Sequence, residues 1–186
     1  MPAKRWLSST LLGLLLAVAG CAAPERLFSP PVQALAPGVE ADCRESLRVM
    51  TLNLAHGRGQ GLHQMLQTAE ARSRNLQQVR ALLAREAPDL VAVQEVDAPS
   101  FWSGGVDQLN FLGRDLQFRH YLHGAHVQAP GLAYGNGLLA TLAMDDSRAL
   151  TFASATGHPA KGFVAARLRW PRRPGLELDL VSVHLN

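Results

Sequence analysis

This sequence of 186 residues has few cysteines, few aromatic residues, a small net charge and few long hydrophobic segments. Two cysteines are too few for a disulfide scaffold or a cysteine-rich zinc site. The net charge of +3 excludes a strongly basic nucleic-acid-binding protein. After residue 20, no apolar run approaches the roughly 20 residues needed to span a bilayer. With 47% hydrophobic and 18% charged residues, the composition is that of a globular domain.

The cationic side chains of the second half are scattered along the chain rather than clustered. No aromatic platform accompanies them, so we interpret them as solvated surface rather than as a track for nucleic acid. They are Arg114, Arg119, Lys161, Arg167, Arg169, Arg172 and Arg173.

The first 20 residues have the three parts of an export signal: a positive start at Lys4-Arg5, the apolar core Leu11–Val18 and an end of small residues. That end, Val-Ala-Gly before Cys21, resembles a bacterial lipobox, in which the cysteine is lipidated after cleavage. We therefore predict a lipoprotein of the bacterial cell envelope, anchored to the membrane through Cys21 and facing the periplasm or the exterior. The alternative is an ordinary signal peptide cleaved near Ala22-Ala23.

This signal sets the expected division of the chain. Residues 1–20 are predicted to be the signal peptide, residues 21–46 the lipidated cysteine and a proline-containing tether, and residues 47–186 one domain that is incomplete at its C-terminus. The tether contains four prolines and no apolar period. Cys43 within it is interpreted as a small residue near the edge of the domain, with no catalytic role.

Hydrophobic periodicity in the remaining sequence predicts a mixed α/β domain. Leu47–Leu54 alternates as a strand does, Ala69–Glu86 has leucine and valine at helical spacing, and Asp89–Val93 is an apolar run typical of a buried strand. A second helix is expected at Val106–Leu116. Five further strands are expected at Phe118–Tyr121, Gly137–Ala143, Arg148–Ser154, Phe163–Trp170 and Leu176–His184. A strand–helix–strand unit followed by a strand-rich stretch predicts an α/β sandwich.

Four short segments at predicted strand ends carry polar residues. Asn53 closes the first strand with a neutral amide, and Glu95 stands at the exit of an apolar strand, where a lone carboxylate suits Mg²⁺. Asn136 lies between two glycines that let a ligand approach the backbone, and His184 ends the last strand. Each segment alone also fits a simpler interpretation: a strand-end amide, a solvated acid, a plain turn and a structural histidine.

Taken in order, the segments TLNLAHG, Gln94-Glu95, GNGLL and His184-Leu185 resemble the endonuclease/exonuclease/phosphatase superfamily of metal-dependent phosphoesterases. The resemblance runs from about Leu47 to Asn186. It implies a four-layered α/β sandwich, with two packed β-sheets flanked by helices, of which this chain resembles about the first half. It also implies hydrolysis of phosphodiester or phosphomonoester bonds with Mg²⁺, or with Mn²⁺ in its place.

The resemblance also implies a role for each matched residue. Glu95 would hold the metal, and Asn53 would lie beside the metal and the scissile phosphate. Asn136 and His184 would contact the phosphate or stabilise the transition state as catalytic residues. Tyr134 corresponds to a phosphate-binding tyrosine in some relatives.

Two classes of function follow from the sequence. The first is a lipid-anchored phosphohydrolase with no evident obligate protein partner, acting on nucleic acid, a phospholipid head group or a sugar phosphate. The second is a non-catalytic envelope lipoprotein that keeps the fold and binds a phosphorylated ligand or a protein. The family's later Gly-Asp-x-Asn and Ser-Asp-His segments do not occur before Asn186, so this chain alone is expected to be inactive. The retained Glu95, Asn53 and His184 nevertheless favour the first class.

The lipobox predicts that membrane attachment depends on the Cys21 thiol. Cys21→Ser removes the acylated atom, so we expect loss of lipidation and of lipoprotein-type cleavage, and a shift from the membrane to the soluble fraction. Cell fractionation and mass spectrometry of the mature N-terminus measure both effects, with Cys43→Ser as the matched control. A Cys21→Ser variant that is cleaved and membrane-bound like the parent protein would show that the lipobox interpretation is wrong.

Overall fold

Two β-sheets packed face to face, with helices on the outside of one of them, form the part of the chain that the structure describes. The structure is a computed structural model, and it describes residues 24–35, 45–155, 157–173 and 175–185. In chain order these residues form β1 (Arg26–Phe28), β2 (Val32–Ala34), β3 (Val49–Asn53), α1 (Ala69–Glu86), β4 (Leu90–Asp97), α2 (Gln108–Gly113), β5 (His120–Ala129), β6 (Leu132–Ala140), β7 (Met144–Thr151), β8 (Gly162–Arg169) and β9 (Glu177–His184). Short 3₁₀ turns lie at Ala55–Gly57, Gln64–Leu66 and Phe101–Ser103.

The two sheets differ in their strand directions. The four-stranded sheet has the order β1-β7-β8-β9 and is antiparallel throughout. The five-stranded sheet has the order β2-β5-β6-β4-β3, and its β3–β4 pair is parallel while its other pairs are antiparallel. The parallel pair is the one that α1 connects, because a parallel crossover requires a long connection.

Strand β4 packs against the helices on one face and against the four-stranded sheet on the other. Val91 and Val93 face the helices and pack in one core cluster with Leu83 of α1. Leu90 and Ala92 face the opposite way, into a second cluster shared with the four-stranded sheet. A strand buried on both faces is continuously apolar, as its sequence is. The predicted α/β sandwich is therefore confirmed, and the described residues supply the helical layer and both sheets.

Helix α1 has the bounds that its sequence predicts. The Thr68 side chain accepts a hydrogen bond from the backbone N–H of Ala71 and caps the first turn. At the other end Ala87 adopts a left-handed conformation, with φ of 44°, and its N–H bonds to the Leu83 carbonyl. Pro88 follows and cannot continue the helix.

Part of the segment predicted to be a tether instead belongs to the sheets. Residues 26–28 pair with β7 at the edge of one sheet, and residues 32–34 pair with β5 at the edge of the other. Pro30 and Pro31 lie between the two strands, where the chain passes from one sheet to the other and no ladder hydrogen bond is lost. The prolines were therefore a misleading signal, because strands of three residues leave no detectable apolar period.

The remaining predictions for the N-terminal segment concern residues outside the described ranges. They are the signal peptide at 1–20, lipidation of Cys21 and the position of Cys43. Within the ranges that the structure covers, no helix is both long enough and apolar enough to cross a bilayer.

If residues 26–28 are a strand of the domain, their inward side chain must contribute to stability. Phe28 is half-buried and packs against the inter-sheet core, whereas the neighbouring Leu27 is 72% exposed. We expect Phe28→Ala to lower the free energy of unfolding by about 2 kcal/mol, and Leu27→Ala to change it by less than about 0.5 kcal/mol. Urea denaturation measures both. Equal, small effects would mean that this segment does not pack on the domain.

Candidate active site

A β-bulge in β4 carries the carboxylate that sequence analysis singled out. The register of β4 against β6 shifts between Val93 and Val96, so that Gln94 and Glu95 oppose only Asn136. Glu95 has a φ of 49°, in the left-handed region, which costs a non-glycine residue on the order of 1 kcal/mol or more. Bulges of this kind redirect a side chain out of the regular alternation.

A second bulge lies on the other side of β6. The register of β5 against β6 shifts between Ala125 and Val127, which leaves His126 without an opposing residue. A Cβ on Gly135 would lie 2.0 Å from the carbonyl oxygen of Gly124, so only glycine fits between these strands. The missing side chain thus makes room for the neighbouring strand, and Gly135 also lines the cavity described next, so the expectation that a ligand approaches the backbone here stays a prediction.

Glu95 of the first bulge and His126 of the second both line one cavity of about 180 Å³. It lies where β4, β5 and β6 approach the end of β9 and the segment before β8. Three of the predicted site residues besides Glu95 line it, together with residues that sequence analysis did not select. The polar lining residues are His56, Glu95, His126, Tyr134, Asn136, Lys161 and His184.

Four polar or charged side chains surround the Glu95 carboxylate. The Asn53 amide donates to Oε1 at 3.2 Å, and Nε2 of His184 lies 3.6 Å from the same oxygen. Nε2 of His56 and a guanidinium nitrogen of Arg58 each lie 3.9 Å from Oε2. Among the described residues, only Asn53 is within hydrogen-bond distance, so lone pairs of both carboxylate oxygens stay available to a ligand.

Asn53 lies beside Glu95, as predicted, and both ends of its amide are engaged. Its oxygen accepts from the backbone N–H of Ala55 at 2.9 Å while its nitrogen donates to Glu95. This geometry makes Asn53 a residue that orients the carboxylate.

Within the described ranges no group of three or more His, Cys, Asp or Glu could hold a metal. A single carboxylate nevertheless fits Mg²⁺, which commonly binds one or two protein carboxylates and keeps several waters.

His184 contacts a lysine that sequence analysis had interpreted as solvated surface. The Lys161 ammonium lies 2.9 Å from Nε2 of His184 and donates to the carbonyl of Leu185 at 3.1 Å. Burial, with a further contribution from the Lys161 charge, lowers the pKa of His184. His184 is therefore neutral at neutral pH, and its Nε2 accepts from Lys161. The interpretation of Lys161 as surface does not hold, since its side chain lines the cavity.

Tyr134 lies in the cavity wall with its ring packed against two other rings. The centroid of the Tyr134 ring lies 4.9 Å from that of the His56 ring, and the two ring planes are nearly perpendicular. The centroid of the Trp102 ring lies 5.0 Å from that of Tyr134. Burial raises the pKa of the Tyr134 hydroxyl, and the nearby carboxylates of Asp97 and Glu95 raise it further. The hydroxyl therefore stays protonated and is able to donate a hydrogen bond.

Asn136 does not have the free donor that a phosphate-contacting residue needs. Its amide nitrogen donates to the carbonyl groups of Gly162, at 2.8 Å, and Ser182, at 3.1 Å. These bonds cross from β6 to β8 and β9, so the side chain links the two sheets. The predicted phosphate contact does not match this geometry, because both amide hydrogens are already used.

Gln94 makes a similar link between the sheets. Its amide nitrogen donates to Ser182 Oγ at 3.1 Å and to Thr51 Oγ1 at 3.2 Å. The Ser182 hydroxyl in turn donates to the carbonyl of Val93 at 2.9 Å. The Gln-Glu pair that sequence analysis noted thus combines one structural residue with one cavity residue.

A buried carboxyl group behind the site escaped sequence analysis. Asp97 has no exposed surface, and its two oxygens contact Nδ1 of His56 at 2.7 Å and the indole N–H of Trp102 at 2.9 Å. Gln108 donates to the His56 carbonyl and accepts from the Asp97 N–H, which ties the two backbones together. This network orients His56 toward Glu95. The only signal in the sequence was an aspartate two residues after Glu95.

The Asp97 network predicts a large effect of a substitution that keeps shape. Because Asp97→Asn replaces one accepting oxygen by an NH₂ group, either the Trp102 indole N–H loses its acceptor or the His56 ring must change tautomer and accept at Nδ1. We expect the free energy of unfolding to fall by about 2 to 3 kcal/mol. Asp179→Asn, at an exposed position of β9, should change it little. Urea denaturation compares the two variants, and equal stabilities would contradict the role assigned to this network.

Comparison with known proteins gives the family of the chain. Residues 50–179, more than half of the chain, match the model of the endonuclease/exonuclease/phosphatase family. One similar solved structure is an endonuclease/exonuclease/phosphatase family protein from Leptotrichia buccalis C-1013-b, with 16% sequence identity and a TM-score of 0.48. The match covers 76% of the present chain and 54% of the Leptotrichia chain. No curated protein matches the sequence significantly. The family-model match shows that the chain belongs to the endonuclease/exonuclease/phosphatase family.

Proposed function

We propose that this protein is a Mg²⁺-dependent hydrolase of phosphate esters that is anchored to the membrane by lipid on Cys21. The observation that carries the proposal is one cavity in which a carboxylate with available lone pairs faces a lysine, a protonated tyrosine and a histidine. Family membership supports the class of reaction, since members are generally hydrolases of phosphoesters.

Glu95 is the residue proposed to hold the metal. Its carboxylate faces the cavity, and Asn53 holds one of its oxygens in place. Bound there, Mg²⁺ would stabilise the negative charge that develops on the phosphoryl oxygens. Asn53 therefore acts through Glu95, as a positioning residue, and Mn²⁺ fits the same oxygen donors.

Lys161 and Tyr134 are proposed to bind the phosphate itself. The Lys161 ammonium offsets phosphate charge and is held by His184 and the Leu185 carbonyl, with one of its three hydrogens left for a substrate oxygen. Tyr134, which lines the same cavity, supplies a neutral donor through its hydroxyl. His184, which sequence analysis predicted to contact the phosphate, is proposed to orient Lys161 through its neutral ring. These preorganised donors stabilise the transition state as water attacks phosphorus and the alcohol leaves.

The strand β1 sets how the anchored domain would lie relative to the membrane. Arg26, the first residue of β1, follows the proposed lipidated Cys21 by five residues. A fully extended chain of that length spans roughly 17 Å. The β1 edge of the four-stranded sheet would therefore be held close to the bilayer surface, which favours substrates at or near the membrane.

The proposal predicts that activity depends on the charge of Glu95. Glu95→Gln keeps the shape and removes the charge that binds Mg²⁺, so kcat/KM should fall at least about a hundredfold, and more metal should be needed to recover activity. The assay uses the full-length protein, including any sequence that follows Asn186, with Mg²⁺ on a panel of phosphodiesters and phosphomonoesters. Magnesium binding by calorimetry gives a second measurement that does not require turnover.

Glu177→Gln is the matched control, since Glu177 begins the strand that His184 ends and lies outside the cavity. It should leave both activity and metal binding unchanged. If Glu95→Gln has the same rate and the same magnesium titration as the parent protein, Glu95 is not part of the site. Binding of magnesium and phosphate esters without any turnover would favour the non-catalytic alternative.

A further inference from the structure

Large apolar side chains are exposed in two neighbouring connections of the chain. The connection between β3 and α1 exposes Leu62 by 93%, Met65 by 60% and Leu66 by 72%, and the connection after β4 exposes Phe101 by 64%. The turn Gln64–Leu66 lies beside the turn Phe101–Ser103, which brings these four side chains to one part of the surface. We call them the apolar rim. Grouped apolar side chains at a surface mark a place that meets another molecule or a membrane.

The apolar rim is at the same end of the sandwich as the cavity. Strands β3 and β4 run parallel and finish side by side at Asn53 and Gln94, next to Glu95, and both connections that carry the rim begin there. The Phe101 N–H donates to the carbonyl of Gly131, in the turn between β5 and β6, at 2.9 Å. Whatever covers the rim therefore lies at the cavity end of the domain.

Strand β1 also begins at this end. Arg26 pairs with Thr151, the last residue of β7, and its guanidinium donates to the Ala125 carbonyl at 2.9 Å. His126, the residue after Ala125, lines the cavity. The proposed lipidated Cys21 is five residues before Arg26, or roughly 17 Å of extended chain. A lipid on Cys21 would therefore hold the cavity end, and with it the apolar rim, against the bilayer.

The connections at the cavity end contain little negative charge. A single acidic residue, Asp107, occurs in residues 54–68, 98–107, 130–131 and 152–161. Its carboxylate is used within the fold, where it accepts from the Asn110 N–H and the Tyr121 hydroxyl. Acidic side chains are exposed at the opposite end, at Glu86, Asp145, Asp146 and Glu177. The cavity end therefore approaches anionic lipid head groups with little like-charge repulsion.

We infer that the apolar rim inserts into the surface of an anionic bilayer and turns the cavity end of the domain toward the lipid head groups. The inference rests on the lipid anchor of the proposed function and deepens it, since the anchor brings this end to the membrane and the rim fixes its orientation there. A second contact made by an already anchored domain is intramolecular, so a weak apolar contact is sufficient.

Vesicle binding without the anchor tests the inference. The full-length protein, including any sequence that follows Asn186, carries Cys21→Ser and is sedimented with vesicles of phosphatidylethanolamine and phosphatidylglycerol at high lipid concentration. We expect reversible binding, and a partition coefficient at least about tenfold lower for the double variant Leu62→Ser/Phe101→Ser. Val49→Ser is the matched control, because Val49 is 64% exposed at the far end of β3, and it should bind like the parent protein.

A fluorescent label measures the orientation of the lipidated protein itself. In a Cys43→Ser background, Leu62→Cys or the control Val49→Cys supplies one free thiol for the label, since the Cys21 thiol is acylated. We expect vesicles to reduce quenching of the label at residue 62 by a water-soluble quencher about threefold or more, and to leave the label at residue 49 unprotected.

Three results would overturn the inference. One is the absence of vesicle binding by the Cys21→Ser protein, and another is an equal loss of binding in Leu62→Ser/Phe101→Ser and Val49→Ser. The third is a label at residue 62 that is shielded before vesicles are added, because protein, from this chain or from a second copy, would then cover the rim.

These outcomes are independent of the catalytic part of the proposed function. Leu62 and Phe101 lie outside the cavity lining, so Leu62→Ser/Phe101→Ser should hydrolyse dissolved phosphate esters at the parent rate. A protein that binds vesicles through the rim and hydrolyses no ester would refute the proposed hydrolase and confirm the membrane surface. Hydrolysis that depends on Glu95, in a protein whose rim stays in water, would have the opposite meaning.

Discussion

The two hydrogen bonds that the Asn136 amide donates across the sheets are the interaction on which the site depends. They join the central strand of the five-stranded sheet to β8 and β9 of the other sheet. Buried polar groups stabilise a fold only when their donors and acceptors are matched, and here both amide hydrogens have carbonyl partners. Because β6 is held to β9 at this point, Glu95 on β4 and His184 at the end of β9 keep a defined separation across the cavity.

The bulges on either side of β6 turn a packed sandwich into a site. In a regular strand, Glu95 would follow the alternation of Val91 and Val93 and face the helices, where no partner for a carboxylate exists among the core residues. The bulge lets Val96 take that apolar position and directs Glu95 to the cavity. The left-handed backbone at Glu95 is the local cost, and the ladder bonds on both sides of the bulge offset it.

Local signals in the sequence determined the elements and the family. The bounds of α1 were predictable because its apolar period, its Thr68 cap and the following Pro88 all act within a few residues of the helix. The buried strand β4 was predictable because burial on both faces requires a continuous apolar run. The order of the motifs around Asn53, Glu95 and His184 indicated the endonuclease/exonuclease/phosphatase family, which the family-model match confirms.

Only the tertiary structure decided which side chains meet and which are already occupied. Strands of three residues, such as Arg26–Phe28, have no period of their own and form because a sheet edge is available. Asn136 and Ser182 are 46 residues apart, so the sequence could not show that the Asn136 amide already donates to the Ser182 carbonyl. Lys161 reaches His184 across 23 residues of sequence. Such contacts depend on the packing of two sheets, and a one-dimensional pattern does not encode which polar atoms that packing leaves free.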